Sequence, residues 1–204
     1  MHKILCLKHL KQKIMHMKHK YFYPALSKLK GRILEIGFGD GESLVYYSSD
    51  CGVFALEKSD KKIQTKKNSR VKYKNVKFFK GKAESLPFED AFFDGVVVSF
   101  TLCSVSSIDI SMNEIVRVLK PGGKFILLEH VRSEKKIIAK LQDIFAKPYS
   151  WIAKNCHPNR NPLLFINKDI FELSIEVKNS YILGNLVFVK AYKKLGVCGE
   201  QQSI

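Results

Sequence analysis

Gly37, Gly39 and Gly41 alternate with Phe38 and Asp40 directly after the apolar run Ile33 to Ile36, and Glu35 lies two residues before the first of them. Glycines in that pattern allow positive φ and bring backbone N–H groups against a ligand with no Cβ in the way, beside the positive end of a following helix. The third glycine comes one place too early for the dinucleotide fingerprint, which would need it where Glu42 stands. Glu35 is badly placed for a pyrophosphate and well placed for a ligand carrying an ammonium or sulfonium group. Glu57 follows Gly37 by twenty residues, where a doubly wound sheet offers a carboxylate to both hydroxyls of a ribose. His130 and His157 carry imidazoles, with a reference pKa of about 6.5, suited to taking a proton from a thiol, phenol or amine. Beside each chemical role stands a structural one: a glycine loop without ligand, a glutamate opening a loop, a strand-end histidine and a turn histidine.

Such a turn needs a strand before it and a helix after it. Ile33 to Ile36 reads as the strand and Glu42 to Ser49 as the first helix; Val53 to Leu56 is the next strand, and Ser59 caps a helix over Asp60 to Lys67. Val76 to Phe79 is a third strand, and the valine-rich, non-alternating Gly95 to Phe100 reads as a strand buried on both faces. A helix over Asn113 to Lys120 stops at Pro121-Gly122-Gly123 and leads into a strand over Lys124 to Val131. Ile137 to Ala153 is a long helical pattern broken at Pro148, followed by a polar turn from Asn155 to Asn161. Ile170 to Val177 and Tyr181 to Ala191 alternate as an antiparallel edge pair. The expected fold is α/β, a Rossmann-like doubly wound sheet of seven strands, mostly parallel with an antiparallel C-terminal edge strand. Ligands of such sheets enter over the C-terminal strand ends, where Thr101, Cys103, Glu129, His130, Asp143, His157 and Arg160 are expected to face the crevice.

The chain has 204 residues, enough for one domain with a sizeable core, here divided into a helical cap (1–30), the main domain (31–195) and a tail (196–204). In the cap, Ile4, Leu7, Leu10, Ile14, Met17, Tyr21, Ala25 and Leu29 form a helical stripe opposite Lys3, Lys8, Lys11, Lys13, Lys18 and Lys20. That segment suits either an anionic bilayer or nucleic acid, or a helix closing the sheet and part of the site. The formal net charge is +16. The basic stretch from Lys58 to Lys82 has few interleaved aromatic residues, so a base-stacking platform and specific nucleic-acid binding are not expected. Five scattered cysteines without a C-x-x-C pair indicate neither a disulfide framework nor a zinc site, and suit a reducing cytoplasm. Near the start the continuous apolar run Ile4 to Leu7 is short of a signal-peptide core or spanning helix.

Leu34-Glu35-Ile36-Gly37-Phe38-Gly39-Asp40-Gly41 resembles motif I of the class I S-adenosylmethionine (SAM) dependent methyltransferases. Gly81-Lys82-Ala83-Glu84-Ser85-Leu86-Pro87-Phe88, then Phe93-Asp94 before the valine-rich strand, resembles the adenine-binding segment and fourth strand of the small-molecule enzymes that include the ubiquinone/menaquinone methyltransferases. Leu119-Lys120-Pro121-Gly122-Gly123-Lys124 is similar to the same family's next connection. Thr101 to Val105 and Glu129-His130-Val131, paired with the turn from Asn155, resemble the subgroup of phospholipid and thiol methyltransferases. The resemblance implies SAM as cofactor, leaving as S-adenosylhomocysteine, and no metal. It puts Gly37, Gly39, Asp40 and Gly41 against the methionine and ribose, Glu35 near the amino group, and Glu57 and Lys58 at the ribose. Lys82, where the family carries Asp or Asn, and Ala83 border the adenine, and Ser99 and Phe100 close the cofactor site. Thr101, Cys103, Glu129, Asp143 and Arg160 are left to the acceptor, with His130 or His157 as base. The implied reaction is in-line methyl transfer to a small-molecule or lipid-like acceptor, a thiol, phenol or quinone, or amine. The alternative is an RNA-binding protein or RNA methyltransferase using the basic surface. The implied location is cytoplasmic, with peripheral contact to anionic membrane.

Overall fold

The computed structural model describes residues 11–69, 73, 75–152, 156–181 and 184–196. The first ten residues of the cap, Arg70, Lys72 and Lys74 of the basic stretch, Asn155 of the polar turn, and all but the first residue of the tail lie outside them. The first described helix, α1, is helical from the first described residue, 11, passes through a π-helical turn at Lys18–Phe22 and ends in an α turn at Tyr23–Leu26. Then follow β1 (Gly31–Ile36), β2 (Cys51–Glu57), α2 (Asp60–Lys67), β3 (Val76–Lys80), β4 (Phe93–Ser99), α3 (Ile108–Val118), β5 (Leu119–Val131), α4 (Lys136–Ile152), β6 (Phe171–Tyr181) and β7 (Gly184–Lys193).

The strands form one sheet in the order β3-β2-β1-β4-β5-β7-β6. β1 to β5 run parallel, and β7 pairs antiparallel with both β5 and β6. The antiparallel C-terminal strand therefore sits one place in from the edge, because β7 pairs with β5 on one side and with β6 on the other. From β1 the chain moves outward through β2 and β3 and returns to β4 on the other side of β1, which opens a crevice between the ends of β1 and β4.

The central strands are buried on both faces, as their non-alternating composition requires: Ile33, Leu34, Val96, Val97, Val98 and Phe125 are all sealed from solvent. One apolar layer joins Leu34, Val96, Val98 and Phe125 to Met112 and Ile115 of α3. The opposite layer joins Ile33, Val97 and Ile126 to Met17, Phe22, Leu26 and Leu29, so the apolar stripe of the described part of α1 is used against the sheet. Phe93-Asp94 acts at the other end of the strands. Asp94 accepts the Arg32 N–H at 2.8 Å and pairs with Lys120 at 2.5 Å, tying the starts of β1, β4 and β5.

Two helices differ from expectation. In place of a helix over Glu42 to Ser49 there is a single 3-10 turn, Ser43–Val45, followed by bends. Ser43 and Tyr47 both turn their hydroxyls onto the Glu35 carboxylate, and Ser48, Ser49 and Asp50 favour backbone-competing turns over helix. The glycine turn consequently has no long helix dipole behind it. α4, expected to break at Pro148, continues across it to Ile152. The proline's missing N–H frees the carbonyl four residues back, at exposed Ile144, where water can satisfy it.

Candidate active site

A cleft of about 770 Å³ opens at the C-terminal ends of β1, β2, β4 and β5, with α1 along one side. The glycine turn forms its floor. Gly37, Gly39 and Gly41 all have positive φ, at +72°, +58° and +67°. A Cβ on Gly37 would lie 2.2 Å from Thr101 Oγ1, whereas one on Gly39 would meet nothing nearer than a carbonyl at 3.9 Å. Gly37 is therefore required by packing, and Gly39 leaves open space in the cleft. Gly41 does not line the cleft; a Cβ there would touch Lys66 Cε at 3.0 Å.

Glu57, at the end of β2, is buried and hydrogen-bonded on both oxygens. Oε1 accepts from Ser59 N and Oε2 from Gly39 N, both at 3.2 Å, and Lys62 Nζ approaches Oε2 at 3.2 Å. Ser59 also caps α2, so the loop after β2 is fixed at its carboxylate and at its helix start. Glu35 is buried beneath the turn, where loss of solvation raises its pKa to about 6 against the opposing hydrogen bonds of Ser43 and Tyr47. Asp40, Lys58, Lys82 and buried Ala83 complete the wall on this side.

The other half of the cleft is made by the ends of β4 and β5. Phe100 holds the left-handed conformation, φ +50°, a costly state for an aromatic residue, and its ring lies 4.7 Å from that of His130. Ser99, Thr101 and Cys103 line the cleft beside them. Burial lowers the pKa of His130 to about 4, so the imidazole expected to titrate near neutrality is held neutral. Cys103 Sγ lies 3.3 Å from Cys156 Sγ, which the polar turn brings to the cleft. Their contact raises the pKa of Cys103 and lowers that of Cys156.

Four residues expected to face the acceptor stand behind this wall. Glu129 alternates with His130 on β5 and is fully buried on the opposite side of the strand, a separation that strand periodicity alone predicts. Its Oε1 accepts from Thr101 N at 2.6 Å and Leu102 N at 2.7 Å, Oε2 has no partner among the described residues, and burial holds its pKa well above the ordinary range. His157 gives its backbone N–H to Cys103 O at 3.0 Å, and its pKa is lowered by burial and by Arg160. Arg160 donates to Val105 O, and Asp143 pairs with Arg132 and accepts from Asn159. These contacts hold loops together. Conversely, Lys18 and Tyr23 of α1, and Lys62 of α2, line the cleft, a place that the sequence reading did not give them. Lys18 pairs with Glu42 at 2.5 Å across the mouth. The helical spacing of α1 was the available signal, and it gave an apolar face without saying at which end of the sheet it lands.

A strand-turn site of this kind on a 3-2-1-4-5-7-6 sheet defines a nucleoside-binding α/β domain. The family model described as "Methyltransferase domain" matches residues 34–127. The ubiquinone/menaquinone biosynthesis C-methyltransferase UbiE of Rickettsia prowazekii is 32% identical over 165 residues, covering 76% of this chain and 64% of that protein. Its Pseudomonas putida counterpart is 30% identical over 141 residues, covering 65% and 55%. The chain thus spans a little over half the length of these curated relatives. Among solved structures, YcgJ of Bacillus subtilis superposes with a TM-score of 0.70 at 15% identity, covering 89% of this chain and all of that one. A SAM-dependent methyltransferase from Methanosarcina mazei gives 0.65 at 22% identity, covering 86% and 98%. The matched domain, the UbiE relatives and the shared fold together support a place among the class I SAM-dependent methyltransferases. The site residues suit that family's cofactor: Gly39 leaves a cradle that a Cβ would fill, with the Glu57 carboxylate beside it.

Proposed function

We propose that the protein transfers a methyl group from SAM to a small, apolar or lipid-like acceptor, a phenol or quinone precursor, thiol or amine. The observation that carries this reading is the single continuous cleft, which runs from Glu57 and Ala83 past Gly39 to Phe100, His130, Cys103 and Cys156. Its volume lies in the range of small-molecule sites. When bound, SAM supplies an electrophilic methyl carbon. Gly37, Gly39 and Asp40 line the methionine end, with Glu35 beneath them. Glu57 and Lys58 hold the ribose, and the backbone at Lys82 and Ala83 borders the adenine. Ser99 and Phe100 separate the cofactor side from the acceptor side, where Thr101 and Cys103 contribute walls.

His130 acts in this scheme as a neutral group that positions the acceptor. With its pKa near 4, taking a proton from a thiol of pKa about 8.5 would be uphill by about 6 kcal/mol. The acceptor therefore reacts already deprotonated, as a thiolate, phenolate or neutral amine, or through an electron-rich carbon, any proton left on the methylated atom passing afterwards to solvent, and catalysis lies in alignment and exclusion of water. The UbiE relatives, C-methyltransferases of quinone biosynthesis, favour the phenol or quinone class. Nucleic acid finds no support in the comparisons. We also propose that the basic protein makes peripheral contact with anionic membrane, where a lipid-like acceptor resides.

The test is methyl transfer from labelled SAM across quinone precursors, thiols, amines and bulk RNA, with calorimetry of SAM and S-adenosylhomocysteine. Binding of both and labelling of an apolar small molecule are expected. Tight binding of a nicotinamide dinucleotide with indifference to SAM would refute the reading.

A further inference from the structure

α4 is built inside out. The side chains it turns toward the domain are small or polar: Ala139, Gln142, Ala146 and Ser150 are buried. The large apolar ones face solvent, with Ile137 at 79%, Ile144 at 64%, Phe145 at 59% and Trp151 at 84% exposure, and Leu141 between them. These five positions recur at offsets of four, three, one and six residues, one stripe of an α-helix. Packing does not explain them, since the helix's internal attachments come from its other side. Gln142 accepts from Ser133 N and donates to Pro158 O, each at 2.8 Å.

Charge identifies what the stripe fits. Lys136, Lys140 and Lys147 are exposed at offsets of four and seven residues, which places them together along one flank of the stripe. The one acidic residue of α4, Asp143, is engaged by Arg132 and Asn159. A second copy of the chain docked on this face would bring two lysine rows together, whereas an anionic bilayer accepts both the apolar stripe and the cations beside it. α1, by contrast, uses the apolar stripe of its described part against the sheet.

We infer that α4 is a membrane-docking helix that lies in the interface of an anionic bilayer, with Ile137, Leu141, Ile144, Phe145 and Trp151 toward the acyl region and its lysines at the headgroups. The inference rests on the proposed peripheral membrane contact and is independent of methyl transfer. On the opposite, inward side of the helix, Gln142 ties α4 to the turn, 156–161, that brings Cys156 to the cleft.

Trp151 is the chain's single tryptophan and reports directly on this face. The experiment mixes the full chain with phosphatidylcholine vesicles or with phosphatidylcholine–phosphatidylglycerol vesicles, following sedimentation and Trp151 emission, with brominated lipid as quencher. Sedimentation with the anionic vesicles, a blue shift and quenching are expected. Ile137→Ser/Ile144→Ser/Phe145→Ser should weaken binding by about tenfold or more while its helical signal and SAM affinity persist, because the replaced side chains are exposed. Lys136→Glu/Lys140→Glu/Lys147→Glu should lose preference for anionic lipid. No sedimentation with either vesicle refutes the membrane reading itself. Sedimentation with Trp151 emission unmoved leaves membrane binding intact and overturns its assignment to α4. A dimer that shields Trp151 without lipid replaces the bilayer with a second copy.

Discussion

Gly37→Ala and Gly39→Ala differ by two positions and should fail in opposite ways. Both residues hold left-handed backbone, so alanine at either costs about 1–2 kcal/mol for the conformation alone. At Gly37 the new Cβ would also lie 2.2 Å from Thr101 Oγ1, which sits 3.1 Å from both the Ile36 and Ser99 carbonyls. Moving Thr101 adds overpacking of about 1–3 kcal/mol and a lost hydrogen bond of about 1 kcal/mol. The expected loss is about 3–6 kcal/mol at Gly37, a large share of a domain stability of about 5–15 kcal/mol, against about 1–2 kcal/mol at Gly39. Thermal melts should therefore fall by roughly 6–24 °C for Gly37→Ala and by roughly 2–8 °C for Gly39→Ala. Calorimetry with SAM reverses the order of interest: Gly39→Ala, folded, should bind at least about tenfold more weakly because its methyl enters the cradle. Equal melting losses for the two variants, or wild-type SAM affinity in Gly39→Ala, would refute the separation of a packing glycine from a ligand-facing one.

Glu57→Ala should weaken SAM binding by about 1–3 kcal/mol with little change for adenine alone, measured by calorimetry; unchanged affinity would remove Glu57 from the site. Glu35 binds more protons folded than unfolded between about pH 4.5 and its folded pKa of about 6, so its contribution to stability falls as pH rises through that window, by about 2 kcal/mol. Urea midpoints at either end should show that loss in the wild type and a flatter profile in Glu35→Gln. Iodoacetamide near neutral pH should label Cys156 before the other described cysteines, Cys51 and Cys103, because contact with Cys103 lowers the Cys156 pKa, and peptide mapping of timed samples checks the order. His130→Ala should lower kcat/KM without changing the shape of its pH profile above about pH 5.5, since the imidazole stays neutral there; a limb between pH 6 and 7 that vanishes in the variant would restore it as a base.

What the sequence disclosed followed from local constraints. The strand before Gly37, the carboxylate at Glu57, the Ser59 cap and the doubly buried Val96 to Val98 all depend on patterns a few residues long, and all are present. The helix expected over Glu42 to Ser49 fails for a nonlocal reason. Its apolar spacing is helical, yet Ser43 and Tyr47 are drawn to Glu35, whose burial is decided by strands on either side. Likewise no periodicity in α1 could place Lys18 and Tyr23 at the cleft, because that depends on where the helix crosses the sheet. Asp143, His157 and Arg160 have the residue types of a polar site, but type does not give direction, and their partners lie in loops distant in sequence.

Glu129 shows how a residue behind the wall can still govern the site. From β5 its Oε1 takes two successive N–H groups, of Thr101 and Leu102, and so fixes the start of the loop after β4. Thr101 then places its hydroxyl against the ends of β1 and β4, filling the space that Gly37 leaves vacant. One buried carboxyl thereby connects the loop carrying Cys103 to the turn carrying Gly39. Burial raises the pKa of that carboxyl well above the ordinary range, against the two backbone N–H groups that favour its charged form. A residue that the sequence placed among the acceptor contacts thus links the acceptor wall to the cofactor turn through Thr101.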